Sequence, residues 1–171
     1  AALGRRLIIP DLNGEDFLQM TISRQLQLID SLLRSLSGKM VLLGSSLGGY
    51  LATFIAGKYE RVVQLVLLAP AFDFVIRYFQ RLTPTQRQEW KKNGFIQLYH
   101  HHYREHRALG YQMVTDAQKY KNLPLNRTVP TLIFHGINDE AVPYQVSLDF
   151  VKRHPSAELM LLHSDHGLYD Q

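Results

Sequence analysis

Five residues, Gly44-Ser45-Ser46-Leu47-Gly48, constrain this chain more than any other stretch, because of what stands on either side of them. Lys39-Met40-Val41-Leu42-Leu43 before them is short, apolar and partly β-branched, the signature of a buried strand. After them Leu47, Leu51, Phe54 and Ile55 recur at i, i+4, i+7 and i+8, one face of a helix. A serine between a strand and a helix, with glycines two residues to either side, predicts a turn so sharp that its apex backbone is strained. With glycine at about 7% of residues and serine taken as similar, the bare pattern arises by chance ~0.05 times in a chain this long. A glycine-rich turn whose serine caps the helix is the competing reading, since serine is also a good N-cap.

Around this unit, strands and helices alternate. Arg5 to Ile9 is expected as a strand, closed by the turn-rich Pro10-Asp11-Leu12-Asn13-Gly14. Between about Asp16 and Leu36, Ile22, Leu26, Ile29, Leu33 and Leu36 are spaced by four and three, an amphipathic helix stopped by Gly38. Val62 to Leu68 reads as a further strand. Thr131-Leu132-Ile133-Phe134 reads as a strand followed by the loop His135-Gly136-Ile137-Asn138-Asp139. Pro143 to Arg153 reads as a helix, Glu158 to Leu162 as a strand and His163-Ser164-Asp165-His166-Gly167 as a last loop. The alternation predicts an α/β fold built on a mostly parallel sheet with helices on both faces. Residues 72–126 differ: aromatics, Gln and His abound and no continuous strand core is evident, so the segment is expected to be an inserted lid on a single domain spanning 1–171. Within it, Thr83-Pro84-Thr85-Gln86 is a helix start, Asn93-Gly94 a stop, and Tyr111 to Lys121 another helix.

Composition narrows the function classes. At 171 residues, 46% hydrophobic and 20% charged, the chain suits one ordinary globular domain. No apolar run approaches a membrane span. The net charge of +4 is scattered, with Arg5-Arg6, Lys91-Lys92 and Lys152-Arg153 the only doublets, so a nucleic-acid partner is not expected. Absence of cysteine removes disulfides, thiol catalysis and cysteine-based zinc sites, and suits a reducing compartment, cytoplasmic or the mitochondrial matrix. Ala1 is not a start methionine, and Leu7-Ile8-Ile9 follows too soon for a signal segment, so a processed or partial chain is expected.

In a parallel α/β sheet, functional groups gather at the carboxyl ends of strands. Ser46, Asp139 and His166 each follow a different strand, in the chain order Ser, Asp, His. Together they would form a nucleophile, an orienting acid and a general base, with the Leu47 N–H as one oxyanion donor. Ser45 lies off the centre of the pattern. Asp73 follows an earlier strand and competes with Asp139; Asp165 is expected to bond its own loop; His163 is expected to be a satisfied structural histidine. His100, His101, His102 and His106 invite a metal reading, with His102 and His106 at i, i+4, but no carboxylate at matching spacing completes a site. No cofactor or metal is expected.

These motifs resemble the α/β-hydrolase superfamily of serine esterases, from about Leu7 to the C-terminus. Gly44-Ser45-Ser46-Leu47-Gly48-Gly49 is similar to small bacterial esterases. The lid segment and His163-Ser164-Asp165-His166 are similar to mitochondrial acyl-protein thioesterases that also cleave acyl glucuronides. The resemblance implies a Ser46–Asp139–His166 triad cleaving a small-molecule carboxylic ester or thioester through an acyl-enzyme. It also implies further strands before Leu7, missing here, and a His-Gly loop there supplying the second oxyanion donor; losing one such donor lowers turnover ~10²–10³-fold. Phe72, Phe74, Tyr78, Phe79, Trp90 and Phe95 are expected to give the lid an apolar inner surface for a hydrophobic acyl group, or else to pack the lid onto the body. A non-catalytic binding protein on the same fold and a peptidase are the alternative functions.

Overall fold

The computed structural model describes residues 6–14, 16–100, 103–121 and 128–169. Four parallel strands form the main sheet: β1 (Met40–Ser45), β2 (Val62–Leu68), β5 (Thr131–Gly136) and β6 (Ala157–Leu162), in the order β1-β2-β5-β6. Each neighbouring pair is parallel, and the register aligns their carboxyl ends: Ser45 faces Leu68, Leu68 faces Phe134, and Gly136 faces Leu162. The loops that leave these ends therefore meet along one edge.

Helices make the crossovers. α1 (Ile22–Ser35) precedes β1, α2 (Leu47–Ala56) joins β1 to β2, and α6 (Gln145–Arg153) joins β5 to β6. Thr21 caps α1 by accepting the Arg24 N–H, and Ile22, Leu26 and Leu33 are its buried stripe. α2 is buried more widely than one face: Gly49, Tyr50, Leu51, Ala52, Thr53, Ile55 and Ala56 all lie inside, because the helix contributes to two core clusters at once. Phe150 of α6, fully buried, stacks on Phe72 at 4.2 Å between ring centroids.

Two sequence expectations give way. Arg5 lies outside the described residues, and residues 6–10 carry no regular structure, with Leu7 80% and Ile9 82% exposed. Apolar side chains in a row make a strand only when another strand takes up their backbone groups, and none of the described strands pairs with this segment. The inserted segment, conversely, does contain strands. After α3 (Phe74–Arg81) and α4 (Pro84–Asn93), β3 (Phe95–His100) and β4 (Glu105–Gly110) pair antiparallel as a separate sheet, followed by α5 (Gln112–Ala117). Thr83 and Gln86 form the reciprocal capping box of α4, and Gly94 at φ 79° ends it. From there Phe95, Gln97 and Tyr99 are exposed while Ile96 and Leu98 turn inward, a period of two masked in the sequence by its brevity and the histidines beside it.

Trp90, 1% exposed, anchors this segment: its indole N–H donates to the Leu109 carbonyl at 2.9 Å and its ring meets Tyr111 edge-on. Trp90 also joins the core cluster of Ile22, Leu26, Tyr50 and Leu51, so that Trp90 and Phe72 pack the segment onto the body. Tyr78 and Phe79 side chains lie outside the described ones, and Phe95 is 43% exposed. Of the six aromatics, Phe74 is the one among the described side chains that reaches the cavity beside Ser46.

Candidate functional site

Ser46 is held at φ 50°, ψ −119°, a region that L-residues avoid at a cost of about 1–3 kcal/mol. The surroundings enforce it. Its N–H donates to the Leu68 carbonyl of β2 at 2.9 Å, and its own carbonyl accepts from Gly49 and Ala71, both at 3.0 Å. A Cβ on Gly44 would stand 2.6 Å from the Gly48 carbonyl carbon and 2.7 Å from the Gly49 nitrogen, so only glycine lets the turn close. A Cβ on Gly49 would meet Pro70 at 2.8 Å. Ser46 makes no capping bond to α2, so its hydroxyl is not spent on the helix. As the first residue of α2, Leu47 has an N–H with no intrahelical acceptor, at the positive end of the helix.

Tyr50, one turn further along α2, is 1% exposed and its hydroxyl donates to the Tyr120 carbonyl. Burial, reinforced by Tyr120, pushes that phenol up to about 12. It stays neutral at all working pH values and keeps the donor that ties α2 to the segment after α5.

Asp139 and His166 come together across the β5 and β6 loops. His166 Nδ1–H donates to Asp139 Oδ2 at 2.7 Å. The carboxylate is fully buried, whereas the imidazole is 33% exposed. Oδ1 accepts two backbone N–H groups, Ala141 at 2.8 Å and Val142 at 2.7 Å, so the buried charge is well hydrogen-bonded. Close approach of the two loops requires Gly136: a Cβ there would collide with the Ser164 and Asp165 carbonyls.

A cavity of about 140 Å³ opens over Ser46, lined by Ala71, Phe74, Ala141 and Val142 with Asp73, Arg77 and Arg81. Ser46 and the Asp139 loop therefore share one space. Among the described residues no hydrogen bond joins Ser46 Oγ to His166; such contacts commonly tighten only when substrate binds. Arg81 donates to the Glu140 and Ala141 carbonyls (2.8 Å for the latter), tying α3 to the loop that carries Asp139.

The rivals have other partners or positions, although Asp73 lines the same cavity as Ser46. Asp73 pairs with Arg77 at 2.6 Å, and its other oxygen is buried without a partner. Asp165 accepts the Gly167 N–H at 2.8 Å, bonding its own loop. Ser45 lies exposed at the end of β1. His163 is exposed rather than structural. The satisfied structural histidine is His135, 0% exposed, between Ser147 and Val142. Sequence pattern assigns His135 no role beyond opening the loop after Phe134, whereas β5 runs on through it to Gly136; Arg77 and Arg81 are assigned none at all. The signal for the arginines is their i, i+4 spacing with Phe74 three residues before, one face of α3. His101 and His102 lie outside the described residues, and His106 is exposed with Tyr99 edge-on at 5.5 Å.

The model of an uncharacterised protein family, UPF0227, matches residues 1–170. The mitochondrial palmitoyl-protein thioesterase ABHD10 of Rattus norvegicus is 32% identical over 138 residues, covering 77% of this chain and 46% of the rat protein. Its Homo sapiens counterpart is 28% identical over 153 residues, covering 85% and 49%. The chain thus spans about half the length of the curated relatives it matches. Among solved structures, mouse alpha/beta hydrolase domain-containing protein 10 superposes with a TM-score of 0.72 at 27% identity, covering 90% of this chain and 64% of the mouse chain. Est1E from Butyrivibrio proteoclasticus, with a TM-score of 0.65 at 23% identity and coverage of 88% and 64%, shares the fold. A sheet of parallel strands, a strained serine between β1 and α2 and this likeness agree: the chain belongs to the UPF0227 family and has the α/β-hydrolase fold.

Proposed function

We propose that the chain is the catalytic part of a serine hydrolase that cleaves carboxylic ester or thioester bonds. The observation that carries this reading is the buried Asp139 carboxylate bonded to His166 at 2.7 Å, on the loop that shares a cavity with the uncapped, strained Ser46. His166 Nε2 takes the Ser46 proton as Oγ attacks the substrate carbonyl, and the Leu47 N–H stabilises the resulting oxyanion. Asp139 fixes the Nδ1–H tautomer and stabilises the imidazolium. His166 then gives its proton to the leaving alcohol or thiol. Water, deprotonated by the same His166, attacks the acyl-enzyme, and collapse of the second tetrahedral intermediate releases the carboxylic acid and free Ser46.

The substrate part in the cavity is a hydrophobic acyl group received by Ala71, Phe74 and Val142. At about 140 Å³ the space holds four or five water-sized groups, so it takes the carbons nearest the carbonyl. The likeness to ABHD10, a palmitoyl-protein thioesterase, supports an acyl substrate of this kind. Residues 72–126 act as a lid on a single domain, an assignment supported by Arg81 holding the Asp139 loop. Freedom from cysteine suits a reducing compartment, and the mitochondrial location named for the ABHD10 relatives supports a mitochondrial one.

The test is a p-nitrophenyl ester series with Ser46→Ala as control. Hydrolysis that rises from acetate to butyrate or longer and is lost in the variant is expected; undiminished turnover by Ser46→Ala sinks the nucleophile. A preference for acetate sinks the apolar cavity. The missing Ser46–His166 hydrogen bond favours one other reading, a ligand-binding protein on this fold. A fluorophosphonate probe separates the two, since only an activated Ser46 is labelled.

A further inference from the structure

We infer that His135 is a positioning residue for the hydrolytic site: its Nε2–H holds the Val142 carbonyl of the loop that carries Asp139, and Ser147 fixes the ring. The inference rests on the serine-hydrolase reading and adds a residue that this reading does not contain. His135 is wholly buried at the end of β5. Its Nε2 lies 2.8 Å from the Val142 carbonyl and 3.2 Å from Asp139 Oδ2. Its Nδ1 lies 2.7 Å from Ser147 Oγ on α6.

The partners fix the proton. A carbonyl oxygen only accepts, so the nitrogen 2.8 Å from Val142 carries the hydrogen. The same nitrogen lies 3.2 Å from Asp139 Oδ2, the oxygen that accepts from His166, an electrostatic contact without a hydrogen bond of its own. Nδ1 is then bare and accepts the Ser147 hydroxyl hydrogen. The other neutral tautomer would set a bare nitrogen against two acceptors, Val142 O and Asp139 Oδ2, and is excluded by their repulsion. Ser147, His135 and the Val142 carbonyl thus form one hydrogen-bonded row from α6 to the Asp139 loop, and the Val142 N–H carries it on to Asp139 Oδ1.

This row does two things that the two backbone donors on Oδ1 cannot do alone. It closes the Asp139 loop by pinning Val142, seven residues beyond His135. It also braces the Val142 N–H against Asp139 Oδ1, which keeps Oδ2 turned toward His166. A buried polar network of this kind rigidifies only when all its members are satisfied, and every member here is.

The experiment compares His135→Leu, which removes the donor, with His135→Gln, whose amide nitrogen sits where Nε2 does. Steady-state hydrolysis of an activated p-nitrophenyl ester is measured for each, alone and combined with Asp139→Asn. His135→Leu is expected to lower kcat about 10- to 100-fold, the range seen when outer hydrogen-bond partners of metal ligands are lost. KM should stay within about threefold, and His135→Gln should recover most of kcat. In the Asp139→Asn background, His135→Leu should produce no further loss, because the residue acts through that carboxylate. Equal losses in the Leu and Gln variants, or a His135→Leu loss undiminished by Asp139→Asn, would overturn the inference. If His135→Leu does not fold, Ser147→Ala takes its place, with a kcat loss of about 3- to 10-fold that again vanishes with Asp139→Asn; a loss that persists refutes it. Full activity in Ser46→Ala or Asp139→Asn would instead refute the hydrolase reading itself, which keeps the two failures apart.

Discussion

Gly44→Ala probes the link between backbone sterics and chemistry. The added Cβ would lie 2.6 Å from the Gly48 carbonyl carbon and 2.7 Å from the Gly49 nitrogen. An ordinary carbon contact begins near 3.4 Å, so backbone must give way by roughly 0.8 Å. Both clashing atoms belong to the first turn of α2, which cannot shift freely: Gly49 is pressed against Pro70, and Tyr50 is anchored to Tyr120. Overpacking of this size costs about 1–3 kcal/mol. With an unfolding entropy near 2.1 cal/mol/K per residue, that corresponds to a Tm lower by about 3–8 °C. The same shift moves the Leu47 N–H and Ser46 away from the positions the proposed hydrolase mechanism needs, where a displacement approaching 1 Å costs on the order of 10²-fold in turnover. Thermal unfolding and kcat for a p-nitrophenyl ester are read on the same sample. The expected result is a modest Tm loss with a disproportionate loss of kcat. A variant with wild-type Tm and turnover would refute the claim that glycine is required here. A Tm loss with intact kcat would show that α2 yields without disturbing Ser46.

Ser46→Gly removes the side chain from a positive-φ position, so urea unfolding should show a gain of about 1 kcal/mol even as fluorophosphonate labelling disappears; a loss of stability would mean that the backbone there is not strained. Asp116, which accepts from Ser23 N–H at 2.7 Å, Ser23 Oγ at 2.6 Å and Lys119 at 2.9 Å, feels burial that raises its pKa, but these donors outweigh it and hold the carboxyl below its ordinary range. A folded-state pKa below the unfolded value contributes stability that is present above about pH 4 and is lost as pH falls through the folded value. Asp116→Asn should therefore flatten the acid limb of the stability–pH curve below pH 4; an unchanged limb would assign it to other carboxylates.

The elements that were legible from sequence are those whose signal is local. β1, the serine turn and α2 occupy one contiguous stretch, and the strain at Ser46 follows from glycines within two residues of it. α4 is equally local, with Thr83, Pro84, Gln86 and Gly94 all marking its ends. Leu7 to Ile9 and β3–β4 failed in opposite directions for one reason. A strand is completed by a partner, and sequence periodicity reports only the side chains. Leu7 and Ile9 have the side chains without a partner among the described strands; Ile96 and Leu98 have the partner in β4 although their pattern is short and broken by histidines.

The site divides the same way. Ser46, Asp139 and His166 could be picked out because each follows a strand end, and strand ends are readable. What holds them in place could not. His135 is a histidine that ends an apolar strand, and nothing in that position distinguishes a buried donor from a surface residue. Its function depends on a loop that returns Val142 to it and on a serine presented from α6 twelve residues later. Arg81 depends on α3 crossing to the Asp139 loop from sixty residues away. The same tertiary dependence explains why the strained serine is tolerated. Its cost of about 1–3 kcal/mol is borne by backbone bonds to Leu68, Gly49 and Ala71, and by the burial of α2. Strain is thus fixed by the core on one side of Ser46, while the other side is left open to the cavity. A turn held from behind in this way keeps its hydroxyl open to the cavity without any contact from the front, so the backbone of Ser46 is set before substrate arrives, and the hydrogen bond to His166 is left to form with it.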